Sequence, residues 1–314
     1  MKIYVFWVAL FSVVLGFSQN LPEDYLSAEF HKERREKVRE LMSPNSVLVF
    51  FANAERNRAN DVDYIYHQDP NFYYLTGYKE PNAVLLIFSD MQKEVDGQEY
   101  NEMIYVQERN AREEQWTGKR LGVEGVRKQL GFDKVFNGSD FADVPIDFKS
   151  FDTVSFFDFE NDYRDKRGDA DLFDLIKAFK IKANYPSDYD PIKQNLYAMI
   201  QSATPDNTEN LVKTVERYLS FYENLNDDEF LTVFVNATDE SKRLEVKERV
   251  NLVLASNNLD SRMISEIMAT LRETKTPEEL KLLKKGRRDF CSRANGSDES
   301  DAPKYVRNRN PRCP

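Results

Sequence analysis

Apolar residues change their spacing several times along the chain, and each change marks an element. In SAEFHKERREKVRELM, residues 27–42, Phe30, Val38, Leu41 and Met42 fall near one face of an otherwise charged stretch. This predicts a helix ended by Pro44, with His31 solvated on its charged side. The unbroken run SVLVFFA (46–52) predicts a buried strand, and ERNRANDVDYIYHQDP (55–70) a polar loop with aromatic anchors. NFYYLTGY (71–78), AVLLIFSD (83–90) and EMIYVQE (102–108) read as three more strands, with Tyr73, Leu75, Val84, Leu86 and Ile104 pointing inward. A helix from about Val123 to Gly131, a strand in TVSFFDF (153–159) and a short helix in DADLFDLIKAFK (169–180) follow. Aliphatic and aromatic strands joined by short turns and flanked by helices indicate an α/β sheet.

From Pro191 to Asn257 the spacing is helical, as in ENLVKTVERYLSFYENL and ESKRLEVKERVNLVLASN. SRMISEIMATLRETKTPEELKLLKK (261–285) closes the coherent pattern. Its last helix has Thr276 as N-cap, Pro277 at the first helical position and Glu279 as capping-box acid. After Lys285 the pattern stops: the remainder is rich in arginine, poor in apolar residues, and contains Cys291 and Cys313. Reading the codons of GRRDFCSRAN one base forward permits Ala-Val-Glu-Ile-Ser-Ala-Val-Gly-Gln, an amphipathic continuation of the helix. Residues 286–314 are therefore expected to be an out-of-frame, disordered tail.

Composition adds the compartment and removes some functions. The 314 residues are 41% apolar, enough for a sizeable core. The formal charge of -10 comes from scattered acids, so no basic footprint for nucleic acid is present. Lys2, the apolar run Ile3–Phe17 and the small residues Gly16 and Ser18 read as a signal peptide over 1–18. The run falls short of the ~20 residues that span a bilayer. A soluble chain exported to the periplasm or outside the cell, with no membrane attachment after cleavage, is expected. Residues 19–285 contain no cysteine, so the fold must rest on its core.

Candidate chemistry is sparse. A hydrolytic metal site needs several His, Asp or Glu ligands, and the chain has two histidines. His67 is expected to order its loop by hydrogen bonding. Asp158, Glu160 and Asp162 alternate like a calcium loop, but position six is Tyr163 where glycine is needed. G-x-S-x-G, H-E-x-x-H, phosphate-loop and dinucleotide patterns are missing, so no catalytic or metal-binding residue is assigned.

RREKVRELM (34–42), DVDYIYHQDPNFYYLTGYKEPNAVLLIF (61–88) and WTGKRLGVEG (116–125) together carry a resemblance. The stretch from Phe30 to Gly131 resembles the N-terminal domain of the aminopeptidase P (Xaa-Pro aminopeptidase) family. The resemblance implies a mixed sheet flanked by helices over 19–185, a mainly helical linker region over 186–270, and over 271–285 the first helix of a catalytic domain. That domain binds two Mn2+ through two Asp, one His and two Glu to cleave peptides before proline, and none of the five ligands is matched here. The chain is thus expected to be inactive alone and to hold no metal. Trp116, Gly118 and Arg120 match the family's Trp-x-Gly-x-Arg element, and the resemblance makes Trp116 and Arg120 candidates for walling a neighbouring subunit's substrate cleft in a homo-oligomer. For Trp116 the alternative is packing beside the following helix. Asp69, Tyr74, Gly77, Glu80 and Pro81 also match, with strand-and-turn roles expected. Two other readings remain: a stand-alone non-catalytic binding or assembly module, and a truncated prolidase- or creatinase-type homologue.

Overall fold

The computed structural model describes residues 26–94, 97–159, 164 and 171–296. Helix α1 spans Ala28–Leu41 and strand β1 Ser46–Phe51. The buried side of α1 is Phe30, His31, Arg35 and Val38, whereas Leu41 is exposed. His31 is therefore not solvated as expected: its Nδ1 pairs with the Tyr74 carbonyl at 2.9 Å and its ring is 1% exposed. Periodicity alone assigns polar residues outward, and a long-range acceptor reversed that here.

The short strands β2 (Asn57–Ala59) and β3 (Val62–Asp63) form a hairpin inside the loop expected over 55–70. The strand expected next is instead helix α2, Pro70–Thr76. Its capping explains why. The Asp69 carboxylate accepts from the Asn71 and Phe72 amides at 2.9 and 2.7 Å, Pro70 supplies a helical φ, and Gly77 ends the helix at φ 69. As a helix the segment buries Phe72, Leu75 and Thr76 on successive turns, leaving Tyr73 only half-buried.

Strands β4 (Val84–Lys93) and β5 (Glu99–Val106) pair antiparallel. Then come α3 (Glu114–Thr117), α4 (Gly122–Leu130), β6 (Val135–Asn137) and β7 (Thr153–Phe156). Among the described residues the main sheet has six strands in the order β6-β5-β4-β1-β7-β8, the last being Leu259–Asp260. The β1–β4 and β4–β5 pairs are antiparallel; β5–β6, β1–β7 and β7–β8 are parallel. This is a mixed sheet flanked by helices, as the resemblance implied. Val47, Val49, Leu86 and Phe156 form one face of the core with Phe179 of α5, Leu172–Lys182. Alternate residues Leu48, Phe50, Leu85 and Ile87 are as deeply buried, so both faces are covered.

α1 lies against that second face through an ion cluster. Glu102, the cross-strand partner of Ile87, takes Arg35 in a fork at 3.0 and 2.9 Å and Arg39 at 2.7 Å. Arg35 also donates to the Leu75 carbonyl at 2.8 Å and stacks 3.9 Å above the Phe132 ring. Burial alone would raise Glu102, but the Arg35 charge and the hydrogen bonds from both arginines outweigh it and hold the carboxyl below its ordinary value.

The connection from β7 to its neighbour β8 contains α5 and then α6 (Pro191–Gln201), α7 (Thr208–Phe221), α8 (Glu229–Asn236) and α9 (Glu240–Ala255). These four helices enclose a core of their own, with Leu196, Val215, Leu231, Phe234 and Val250 buried. The region is mainly helical, as expected, but it returns to the sheet. Two residues of β8 are too few for any periodic signal, and α10 (Met263–Glu273) follows them. Ala28–Glu273 forms one compact unit, and Thr274 starts another.

In that second unit, α11 spans Pro277–Gly296. Its capping box is present: the Thr276 amide donates to Glu279 Oε2 at 2.9 Å, and the Glu279 amide to Thr276 Oγ1 at 3.2 Å. The helix does not stop at Lys285. Residues 286–296 contain no proline, and an exposed helix needs no apolar periodicity to continue through Gly286 at a cost of ~1 kcal/mol. The signal peptide expected over 1–18, Glu160 and Asp162 of the acidic loop, and Cys313 with the tail beyond Gly296 lie outside the described residues. Among the described residues no helix is long and apolar enough to cross a membrane.

Candidate functional site

Most of the motif residues converge on one turn. Gln68 begins it: its Oε1 accepts from the Asn53 and Asp69 amides, while its Nε2 donates to the carbonyls of Tyr78 and Glu80 at 3.2 and 2.8 Å. The Asp69 carboxylate, which caps α2, is raised chiefly by burial, with the Phe72 and Asn71 amides and the Arg272 charge opposing the rise. Arg272 donates to the Pro70 carbonyl at 2.8 Å and lies 4.6 Å over the Tyr74 ring. Tyr74 also meets Phe30 edge-on. Gly77 is required twice: its φ is left-handed, and a Cβ there would lie 2.7 Å from the His31 ring.

Glu80 joins this turn to a segment 41 residues away. Its Oε1 accepts from the Leu121 amide at 2.7 Å and its Oε2 from the Tyr78 hydroxyl at 2.9 Å. Burial raises Glu80 above its ordinary value, against the pull of those two donors and of Arg120. Pro81 then leads to Asn82, which holds a left-handed φ of 55 and accepts from the Leu172 amide at 3.0 Å. The structure thus brings Asp69, Tyr74, Gly77, Glu80 and Pro81 together as a scaffold: Asp69 and Gly77 cap the helix that stands where a strand was expected, and Tyr74 lies within it.

Leu121 directly follows the Trp116-x-Gly118-x-Arg120 element. Arg120 pairs with Glu113 at 3.1 Å, and Arg109 with Glu114 at 2.8 Å. Gly118 holds φ 84, a conformation open to glycine. Trp116 does not pack beside the following helix: it is 89% exposed on a segment whose backbone is tied down. Trp116 is thus a surface group rather than a core residue.

A cleft of about 640 Å3 opens where β1, β7 and β8 end. Phe51 ends β1 and Asn53 follows it, Phe157 and Phe159 follow β7, Ser261 follows β8, Leu172 and Ile176 lie on α5, and Asp69 and His67 come from the loop before α2. The carboxyl ends of parallel strands are the usual place for a ligand crevice in an open α/β sheet. Sequence reasoning missed it because its walls come from five segments, around residues 51–56, 64–71, 157–159, 172–176 and 261–265, and the one that carries a motif gives no sign of the others. His67 is exposed, and its carbonyl accepts from Asn53 Nδ2 at 2.8 Å, so it orders the loop through its backbone. The described residues do not fit a metal: no group of three or more His, Cys, Asp or Glu could hold one.

Residues 31–150 match the aminopeptidase P N-terminal domain family. Over 130 residues this chain is 38% identical to a Xaa-Pro aminopeptidase of Haemophilus influenzae, covering 41% of this chain and 28% of that protein. It is 39% identical over 115 residues to Xaa-Pro aminopeptidase 3 of Dictyostelium discoideum, covering 37% and 21%. A solved structure of aminopeptidase P from E. coli aligns with TM-score 0.40 and 25% identity over 52% of this chain and 34% of that one. The matches span less than a third of the length of these curated relatives. The aminopeptidase P N-terminal domain match takes in α1 to β6, including the Glu80 turn and the Trp116 segment, and leaves out the four-helix insertion.

Proposed function

We propose that this chain is the N-terminal portion of an exported Xaa-Pro aminopeptidase-like metallopeptidase, inactive by itself. Its role is to present Trp116 and Arg120 as one wall of the substrate cleft of a catalytic domain in a homo-oligomer. The observation that carries this reading is the pairing of an 89% exposed Trp116 with a backbone anchored to Glu80 within the matched segment. A rigidly held, uncovered indole is suited to shaping an apolar ring such as proline. In a complete enzyme the two Mn2+ would come with ligands outside the described residues.

The test joins this chain to the coding region downstream of the Lys285 codon in each reading frame and assays release of the first residue from an Xaa-Pro peptide. Manganese-dependent turnover is expected in one frame and none from the 314-residue chain. Within the active protein, Trp116→Ala should raise KM more than it lowers kcat. Turnover by the present chain alone, or a Trp116→Ala enzyme with unchanged kinetics, overturns the reading.

A further inference from the structure

The segment 109–121, which carries Trp116, is braced within itself. The Glu114 carboxylate takes the Arg109 guanidinium in a fork at 2.9 and 2.8 Å and also accepts from the Arg120 amide, so it joins the two ends of the segment. Glu113 adds its pair with Arg120 at 3.1 Å. The hold of this segment on the rest of the fold is slight by comparison. Its helix α3 buries no residue. Among the described residues, the one hydrogen bond that 109–121 makes outside itself and the helix after it runs from the Leu121 amide to Glu80 Oε1 at 2.7 Å. Gly122 follows at a left-handed φ of 58, and a Cβ there would lie 2.5 Å from the Arg109 side chain.

A body that is stiff in itself, tied to the fold by one side-chain bond and flanked by a glycine free to turn, moves as a unit when that bond opens. Glu80 is well placed to make the tie. The Tyr78 hydroxyl donates to its other oxygen at 2.9 Å and fixes the carboxylate. Leu121, the N-cap of α4, offers no side chain that could cap the helix, and a carboxylate beside its first amide is favoured there. We propose that Glu80 is the latch of a movable strap, residues 109–121. With the Leu121 amide bonded, the strap presents Trp116; with the bond open, it swings about Gly122 and withdraws the indole from that position. Glu80 is thus a positioning residue for Trp116. The motion goes beyond the cleft-wall reading given above and does not rest on it.

The test follows tryptophan fluorescence in the full chain carrying Trp7→Phe, which leaves Trp116 as its single tryptophan. Time-resolved anisotropy of this parent should show the indole tumbling with the whole molecule, apart from its own side-chain wobble. Glu80→Ala should about double the amplitude of the nanosecond component and speed amide exchange of residues 110–121 about tenfold, with β1 and β4 unchanged. Glu80→Gln keeps a carbonyl oxygen for the Leu121 amide and should restore most of the parent's behaviour. Leu121→Pro takes away the donor instead, at a φ of -65 that proline already holds, and should reproduce Glu80→Ala with Glu80 in place. It decides the matter if Glu80→Ala loosens the sheet. An indole as mobile in the parent as in the variants, a strap as protected in Leu121→Pro as in the parent, or exchange that quickens across the sheet in both variants overturns the proposal. None of these readouts needs turnover, so they separate failure of the latch from failure of the cleft-wall reading.

Discussion

The matched sheet segment and the four-helix insertion are built by different means. In the first, polar side chains are buried and pair across long stretches of sequence: Arg35 with Glu102, His31 with the Tyr74 carbonyl, Glu80 with the Leu121 amide. In the second, the core is apolar and the main polar work is local capping, by Asp190 on α6, Asp228 on α8 and Asp239 on α9. Buried polar pairs contribute little net stability but penalise every alternative that leaves one member unpaired. The sheet segment is therefore specified residue by residue, whereas the insertion needs only apolar residues of suitable size and its caps.

Substitutions can break this contrast at both ends. The largest effect is expected for Arg35→Ala, which removes the forked partner of Glu102 and the guanidinium on Phe132, leaving Glu102 with Arg39 alone, and should cost ~3 kcal/mol in chemical denaturation of the chain. The double change Arg35→Met with Glu102→Leu should recover most of that loss. A double variant as unstable as Arg35→Ala would mean that packing of the guanidinium on Phe132, and not its charge, holds α1. Next, Gly77→Ala forces a left-handed alanine against His31 and should cost ~1–3 kcal/mol. In the insertion, Asp228→Ala removes both the α8 cap and the acceptor of the Tyr197 hydroxyl at 2.6 Å, and ~1–2 kcal/mol is expected by thermal melting.

Two carboxylates of the sheet segment should respond to pH in opposite senses. Glu102 is held below its ordinary value, so its contribution is present above the unfolded value of 4.5 and is lost as pH falls through the lower folded one. Glu80 is raised, so its contribution is present below 4.5 and is lost as pH rises through the higher folded one. Denaturation midpoints of Glu102→Gln and Glu80→Gln, each subtracted from the parent across pH 3–7, should therefore slope in opposite directions; parallel slopes would refute the assignment. The smallest effect is expected for Trp116→Ala, within ~0.5 kcal/mol, because the indole touches little within its own chain. Loss of stability well beyond that would show the indole to be part of the fold.

Legibility followed the same division. The apolar runs of β1, β4 and β5 and the helical spacing of the insertion were readable because solvent exclusion imposes a period on the chain. The capping box at Thr276 and Glu279 was readable because its partners are three residues apart. The stretch 71–78 looks like a strand because its aromatic residues favour one, while the helix-end signals Asp69, Pro70 and Gly77 fit a loop and a tight turn equally well. His31 was misplaced because its acceptor is 43 residues away.

By itself the sequence determined the α/β class, the order of most elements, and the motif residues of the Glu80 turn and the Trp116 segment, all of which follow from local spacing and residue type. Only the tertiary structure decided that the Glu80 turn holds that segment, that β8 closes the sheet after the insertion, and that a cleft opens where β1, β7 and β8 end. Hydrogen bonds and cavities depend on which distant atoms come within about 3 Å, and that distance is a property of the folded chain rather than of any stretch of it.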